Sequence, residues 1–395
     1  VTTDLLIAGG GPAGAALAIF AGRAGFSVAL FEAGRFPREK PCGEGVMPSG
    51  VGVLERLGLT AAVGGCPLHG VRYHGFGMVA EAPFPHPRGT VAAGAAAAHG
   101  LGQRRFVLDD VLLRAARATP NVRVFEGAAV EGVARRAGRA VGVVVDGQAI
   151  AGRLIIGADG FRSRVRAALG LDAPPPRHPR WGARVHFRLP ADRSPAHFIE
   201  VFVGAGHELY LTPLPAGEVL IAALSTQADH RQVGPVGPHA STVEPDEGPL
   251  MTLAAKHPTL MERLDGATLM SPPRGRSPLA CRARAGVAPG AVLLGDAAGF
   301  IDPVTGGGIA QALLSAELLA GFLPRALAEP DDEWLWRFDR RRRAMLRDYR
   351  LLTAGLLLVT RRARLARATL QLMRAQPAVM AHVVGVAAGL RGLTR

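Results

Sequence analysis

Lysine is nearly absent from this chain. Lys40 and Lys256 are the only two among 46 basic residues, leaving 44 arginines. The same sequence carries 51 glycines, 30 prolines and abundant alanine, a skew that a GC-rich coding sequence produces as a whole. The formal charge of +14 is therefore discounted as a mark of nucleic-acid binding, although a positive field does promote it. Three tyrosines and three tryptophans are too few for the stacking platform of a single-strand binder, so no nucleic-acid partner is expected. Cysteine is scarce as well. Cys42, Cys66 and Cys281 are odd in number and lack metal-ligand spacing, which excludes a disulfide scaffold, offers no metal site and points to a reducing, cytoplasmic compartment. No apolar run reaches the ~20 residues that a membrane-spanning helix needs. No signal-peptide pattern precedes the strand-like run that opens at Leu5. What is present is apolar mass: 48% of 395 residues are hydrophobic, enough to offset chain entropy over two or three domains or one large composite unit.

The first thirty-two residues carry the strongest local pattern. Asp4 to Ala8 is a short apolar run that stops in Gly9-Gly-Gly11-Pro12-Ala13-Gly14 and turns helical. A second apolar run, Ser27–Phe31, ends at Glu32. This reads as strand, glycine turn, helix and parallel strand. Gly9 permits the turn, Gly11 lets the backbone approach a pyrophosphate, and Gly14 lets helix and sheet come close. The helix N-terminus offers free N–H groups to phosphate, and Glu32 is spaced to accept hydrogen bonds from ribose hydroxyls. Dinucleotide binding follows.

Two further corners decide which dinucleotide. Leu154–Gly157 runs into Asp159-Gly160 and a helix opening near Ser163; Ala291–Leu294 runs into Gly295-Asp296, then Asp302-Pro303 and Gly306-Gly307-Gly308-Ile309 before an apolar helix, Ala310–Leu323. With these three motifs in order, the chain resembles the FAD-dependent oxidoreductases built like aromatic hydroxylases (the group A flavoprotein monooxygenases), a superfamily that includes geranylgeranyl reductases and flavin-dependent halogenases. The resemblance covers residues 4–325 and implies FAD as cofactor. It assigns to cofactor binding Gly9, Gly11, Pro12, Ala13, Gly14, Glu32, Ala33, Arg38, Cys42, Gly43, Arg105, Val130, Asp159, Gly160, Gly295, Asp296, Pro303, Gly306, Gly307, Gly308 and Ile309. Within that set Glu32 takes the adenosine ribose, Asp296 the ribityl chain, and the glycines at 306–308 with Ile309 the flavin N1–C2=O edge, where a helix dipole stabilises negative charge. Arg105 matches an arginine that lies over the cofactor. No second GxGxxG follows a strand, so NAD(P)H is expected as a transient reductant in a cleft shared with the substrate.

The loop Arg38-Glu-Lys40-Pro-Cys42-Gly43-Glu44-Gly45 resembles one that lies along the flavin in geranylgeranyl-reductase-like proteins and several tailoring monooxygenases. It makes Cys42 and Glu44 catalytic candidates. The plainer readings are a small buried cysteine and a glutamate paired with Arg38 or Lys40. An amphipathic helix, Val51–Leu57, follows. Strand-like runs at Val71–Phe76, Trp181–Leu189, Phe198–Val203, Leu209–Leu214 and Val219–Ser225 suggest a second sheet roofing the flavin. On it Tyr210, the third catalytic candidate, stands where the relatives carry tryptophan, and Thr212 replaces their phenylalanine or isoleucine. Halogenation is disfavoured, because neither lysine has the context of the halogenases' pocket lysine. Gln227–Pro278 reads as a substrate-side segment that turns helical around Leu250–Leu264. His186, His197 and His207 read as pocket or packing residues.

Beyond Glu333 the pattern is helical to Arg374, is broken at Pro377 and continues apolar over Ala378–Leu390. Its arginines would admit peripheral docking on an anionic membrane face; a helical cap with an arginine-rich outer surface is the plainer reading and takes precedence. The expected architecture is α/β: a discontinuous Rossmann-like FAD-binding domain (1–70, 101–176 and 276–330) with a parallel sheet and three-stranded side sheet, an interleaved β-sheet substrate domain (71–100 and 177–275) and a helical C-terminal region (331–395). The expected function is NAD(P)H-dependent monooxygenation of a hydrophobic or aromatic small molecule through a C4a-peroxyflavin. Reduction of alkene double bonds in a prenyl or polyketide-like substrate is the alternative, and a non-catalytic flavin-binding accessory protein the third reading.

Overall fold

The structure, a computed structural model, describes residues 3–86, 98–174, 180–193, 197–226, 249–329 and 331–394. Its first sheet runs, in spatial order, Val287–Ala288, Ala291–Leu293, Gln148–Gly157, Thr3–Ala8, Val28–Glu32 and Val122–Glu126. The last five pair in parallel. Strands buried on both faces need continuous apolar sequence, and Leu5, Leu6 and Ile7 are fully buried at the centre of the sheet. Helices Pro12–Arg23 and Gly308–Ala328 share one hydrophobic cluster on one face. Val130–Arg136 and Arg139–Val145 form an antiparallel hairpin that pairs with Gln148–Gly157 and supplies the cluster on the other. This is the expected parallel sheet with a three-stranded side sheet.

A second, seven-stranded sheet has the order Thr268–Arg276, Arg180–Arg188, Glu218–Thr226, His207–Pro213, Phe198–Val203, Gly70–Gly75 and Met78–Pro83. All neighbours are antiparallel except Phe198–Val203 against Gly70–Gly75. The five strands read from sequence are present within two residues of their expected bounds. The two outermost were not read as strands. Thr268–Arg276 carries Pro272 and Pro273, which argue against a strand unless it lies at a sheet edge, where a missing N–H costs no ladder bond; it lies there. Met78–Pro83 follows a turn with Phe76 and Gly77 both at positive φ.

Helix bounds differ in small ways. The helix expected from Val51 starts at Pro48, which fits the first turn because its missing N–H has no partner to lose. The run around Leu250–Leu264 is two helices, Pro249–Ala254 and Pro258–Leu264, split where Pro258 holds His257 out of the helical region. Residues 227–248 of the expected substrate-side segment lie outside the described residues. The C-terminal region forms Glu333–Met345, Arg347–Thr360, Ala363–Ala375 and Pro377–Ala387, and the last two pack on the Gly70–Gly75, Met78–Pro83 end of the second sheet.

Candidate functional site

Between the two sheets lies a cavity of about 660 Å³, a volume suited to a cofactor and substrate. The first strand ends at Gly9, whose φ of +102° only glycine adopts freely and where a side chain would meet the Ala158 carbonyl at 2.3 Å. The helix that follows opens at Pro12 without a side-chain cap or an acid in its first turn, so the N–H groups ahead of Ala15 have no side-chain cap at the cavity end of the helix. At the end of the next strand Glu32 accepts the Gly10 N–H at 2.7 Å and the Gly34 N–H at 2.9 Å, with Arg38 3.4 Å away. Each oxygen keeps a lone pair. The second corner brings Asp159, whose Oδ2 accepts the Val165 N–H at 3.1 Å while Oδ1 is buried with no hydrogen-bond partner. The 21-residue helix Gly308–Ala328 also begins at the cavity wall, again without a cap or an acid in its first turn. Arg38, Lys40, Arg105, Arg162, Arg164, Arg184 and Arg274 line the same space beside the acids Glu32, Glu39, Glu44, Asp159 and Asp296, so bases outnumber acids on the wall, a balance that suits a pyrophosphate.

The residues assigned from sequence converge here. Gly9, Gly11, Pro12, Ala13, Glu32, Ala33, Arg38, Cys42, Gly43, Glu44, Arg105, Val130, Asp159, Gly160, Tyr210, Gly295, Asp296, Pro303, Gly306, Gly308 and Ile309 all line the cavity. Gly14 and Gly307 do not. A side chain at Gly14 would meet the Gly9 carbonyl at 1.9 Å, so this residue sets helix-to-turn distance. Gly307 faces Tyr349, whose hydroxyl accepts its N–H at 3.2 Å.

The three catalytic candidates are more constrained than their sequence context suggests. The Cys42 sulfur accepts the Glu44 N–H at 3.4 Å and lies against Arg105. Arg105 is held by a bidentate pair to Asp109 at 2.6 and 2.7 Å; burial opposes its charge, but Asp109 and Cys42 hold its pKa above the ordinary value. Glu44 does not pair with Arg38 or Lys40. It sits at a φ of +58°, and its carboxylate turns into the protein, taking the Arg105 N–H at 3.1 Å and His186 Nε2 at 2.7 Å. Tyr210 donates its hydroxyl to the Val304 carbonyl at 3.0 Å. Burial pushes its pKa well above the ordinary range, with Glu208 and Tyr73 adding to the shift, so the phenol stays protonated and bound to the 303–305 turn.

Sequence reading missed several wall residues. Arg184 and Glu39 are two of them, and they join His186, read from sequence as a pocket or packing residue, in one network: Arg184 bonds Glu39 and donates to His186 Nδ1 at 2.8 Å, and Arg104 reaches Glu39 at 2.8 Å. Arg184 and His186 alternate on one strand and so share a face, a hint available in the sequence. Leu356, Val383, Val384 and Ala387 of the C-terminal helices complete an apolar wall with Val71, Ile199 and Val201. Nothing in the C-terminal sequence marks those four as cavity residues.

A family model described as an FAD binding domain matches residues 2–349. The chain belongs to this family. It is thus an FAD-dependent oxidoreductase by kinship, and its cavity fits the cofactor: the Gly9 turn is free of side chains, and the orphan Asp159 oxygen and two uncapped helix N-termini offer what a dinucleotide uses. The flavoprotein is 30% identical over 334 residues to the menaquinone reductase of Mycolicibacterium smegmatis, a match spanning 80% of this chain and 75% of that one. It is 28% identical over 341 residues to the squalene epoxidase erg1 of Aspergillus fumigatus, spanning 81% of this chain and 66% of the relative. Among solved structures, a flavoprotein/dehydrogenase from Cytophaga hutchinsonii superposes with a TM-score of 0.82 at 21% identity, over 98% of this chain and 93% of that one. It shares the fold.

Proposed function

We propose that this flavoprotein reduces a carbon–carbon double bond of a long isoprenoid-type substrate, with NAD(P)H as the transient source of electrons. The observation that carries the reading is the apolar wall of the cavity, Val71, Ile199, Val201, Leu356, Val383 and Val384, which continues the space beside the glycine turns into a channel for hydrocarbon. Bound FAD would supply the two-electron chemistry. Gly9, Gly11 and Glu32 would hold its adenosine half, and the Gly306–Ile309 turn its ring edge. The 38–45 loop would lie between ring and solvent, and the wall residues would orient the chain and exclude water. Kinship supports the choice of substrate class, since the menaquinone reductase and squalene epoxidase relatives both act on isoprenoid molecules by name.

Monooxygenation of a hydrophobic or aromatic small molecule is what sequence alone puts first; its form here, oxygen insertion into such a double bond, is the second reading and is favoured by the squalene epoxidase relative. One experiment separates them. The FAD-loaded protein is given NADH or NADPH and a polyprenyl quinone with oxygen excluded, and the product is weighed by mass spectrometry. A product heavier by two hydrogens is expected, the gain persisting after any quinol is reoxidised to quinone in air. Turnover only in air, with one oxygen added, would put epoxidation in its place.

A further inference from the structure

From Tyr349 to Arg395 the sequence has eight arginines and no aspartate or glutamate. The helices in this stretch also expose large apolar side chains. Leu351 and Leu358, 57% and 55% exposed, lie seven residues apart on helix Arg347–Thr360; Leu365 and Leu372, 38% and 51% exposed, lie seven apart on helix Ala363–Ala375. Seven residues is nearly two helical turns, so each pair forms one stripe. The buried face of Ala363–Ala375 is Ala366, Leu370 and Met373; the leucine stripe flanks it on one side, and Arg364, Arg367 and Arg374 lie toward the other. Arg361, Arg362, Arg364, Arg367 and Arg374 are exposed, and among the described residues none of the five joins a salt bridge.

We propose that this three-helix arm, Arg347–Thr360, Ala363–Ala375 and Pro377–Ala387, is a docking surface for an anionic lipid bilayer. The leucine stripes enter the boundary between headgroups and acyl chains, and the arginines hold the headgroup phosphates. Apolar side chains flanked by unpaired cations, with no acid after Asp348 in the first turn of the arm, match that surface in both charge and polarity. A second copy of the chain is the poorer partner, because isologous contact would oppose arginines of like charge. Two residues from exposed Leu358, Leu356 lines the cavity, and five residues from exposed Val379, Val384 does the same, each pair set well apart around its helix. The docked face and the cavity wall are therefore opposite sides of the same helices. Resting on the function proposed above, this places an isoprenoid-type substrate within reach of the cavity without leaving the lipid.

The test is co-sedimentation of the full-length, FAD-loaded protein with vesicles of phosphatidylcholine alone or mixed with phosphatidylglycerol, read by flavin absorbance in the pellet. Binding to the anionic vesicles at low salt is expected, weak binding to the neutral ones, and steep loss as salt rises. R361Q/R364Q/R367Q should weaken partitioning on the order of a hundredfold, and L358S/L372S should weaken it at every salt concentration. R123Q/R136Q/R282Q, at exposed arginines on other elements, should leave it unchanged, which separates a located surface from general positive charge. Retained flavin absorbance shows that each variant is folded. Failure to sediment with anionic vesicles at low salt, equal loss in the control variant, or a dimer in sedimentation velocity that L358S/L372S dissociates without any vesicle binding would overturn the proposal. None of those results touches the double-bond chemistry, which is read separately on detergent-dispersed substrate.

Discussion

His186 Nε2 lies 2.7 Å from Glu44 Oε2, and both side chains are fully buried. The proton on that bond is assignable. Arg184 Nη1 contacts His186 Nδ1 at 2.8 Å, and a guanidinium only donates, so Nδ1 is the bare nitrogen and Nε2–H donates to Glu44. Two residues along the same strand, Arg184 binds Glu39. The loop from Glu39 to Glu44, with Lys40 and Cys42 between them on the cavity wall, is thus fastened at both ends to one strand of the second sheet. Glu44, a catalytic candidate in the sequence, is held in this anchor.

Breaking that anchor should loosen the loop. His186→Ala leaves a buried carboxylate short of a donor, which costs about 3 kcal/mol, whereas Glu44→Gln keeps an acceptor for Nε2–H and should cost about 1 kcal/mol. Chemical denaturation of both single variants and the double variant should show strong non-additivity, since the two changes act on opposite ends of the same bond. Strict additivity, or a His186→Ala variant as stable as the parent, would mean that the loop is held some other way.

The first sheet and its three corners were legible because each rests on local rules: apolar runs at strand length, glycine where φ turns positive, an acid at a strand end. Gly9, Glu32 and Asp159 are distant in sequence yet each announces itself. The Glu44–His186 bond does not, because 142 residues separate the partners and nothing in either neighbourhood names the other. The same holds for Leu356 and Val383. They sit in ordinary apolar helical pattern, and only the packing of the C-terminal helices against the second sheet turns them toward the cavity. Thr268–Arg276 was lost for a different reason, its two prolines being the usual mark of a non-strand.

Asp302 gives the fold a pH signature. Arg180 lies between two buried carboxylates, 3.0 Å from Asp302 and bonded to Glu208, so one cation faces two acids. Burial raises the Asp302 pKa to about 6 from 3.8, Arg180 opposes the rise, and Glu208 adds to it. A folded-state pKa above the unfolded one means that the folded protein binds the proton more tightly. The associated stability is complete below pH ~4 and is lost as pH rises through ~6, roughly 3 kcal/mol in all. The difference in unfolding free energy between the parent and Asp302→Asn should therefore fall by that amount from pH 4 to pH 7. A difference that is flat, or that grows with pH, would show Asp302 ionised throughout.

Gly11 and Gly14 separate cofactor binding from folding within one turn of chain. At Gly14 a methyl group would lie 1.9 Å from the Gly9 carbonyl. Backbone must move to admit it, so Gly14→Ala should destabilise the apoprotein by about 3 kcal/mol. At Gly11 the backbone is extended, φ −70°, which alanine adopts without strain, and the nearest atom to an added methyl is Arg38 Nη2 at 4.0 Å. Gly11→Ala should thus unfold at the parent's temperature or slightly above it, by about 0.5 kcal/mol of reduced chain entropy. Its methyl group would nevertheless occupy the space where a pyrophosphate must meet the helix N-terminus. Fluorescence titration should show FAD bound at least tenfold more weakly by Gly11→Ala, a loss of about 1.4 kcal/mol, with no loss of fold. Parent-like FAD affinity in that variant would remove the phosphates from this turn.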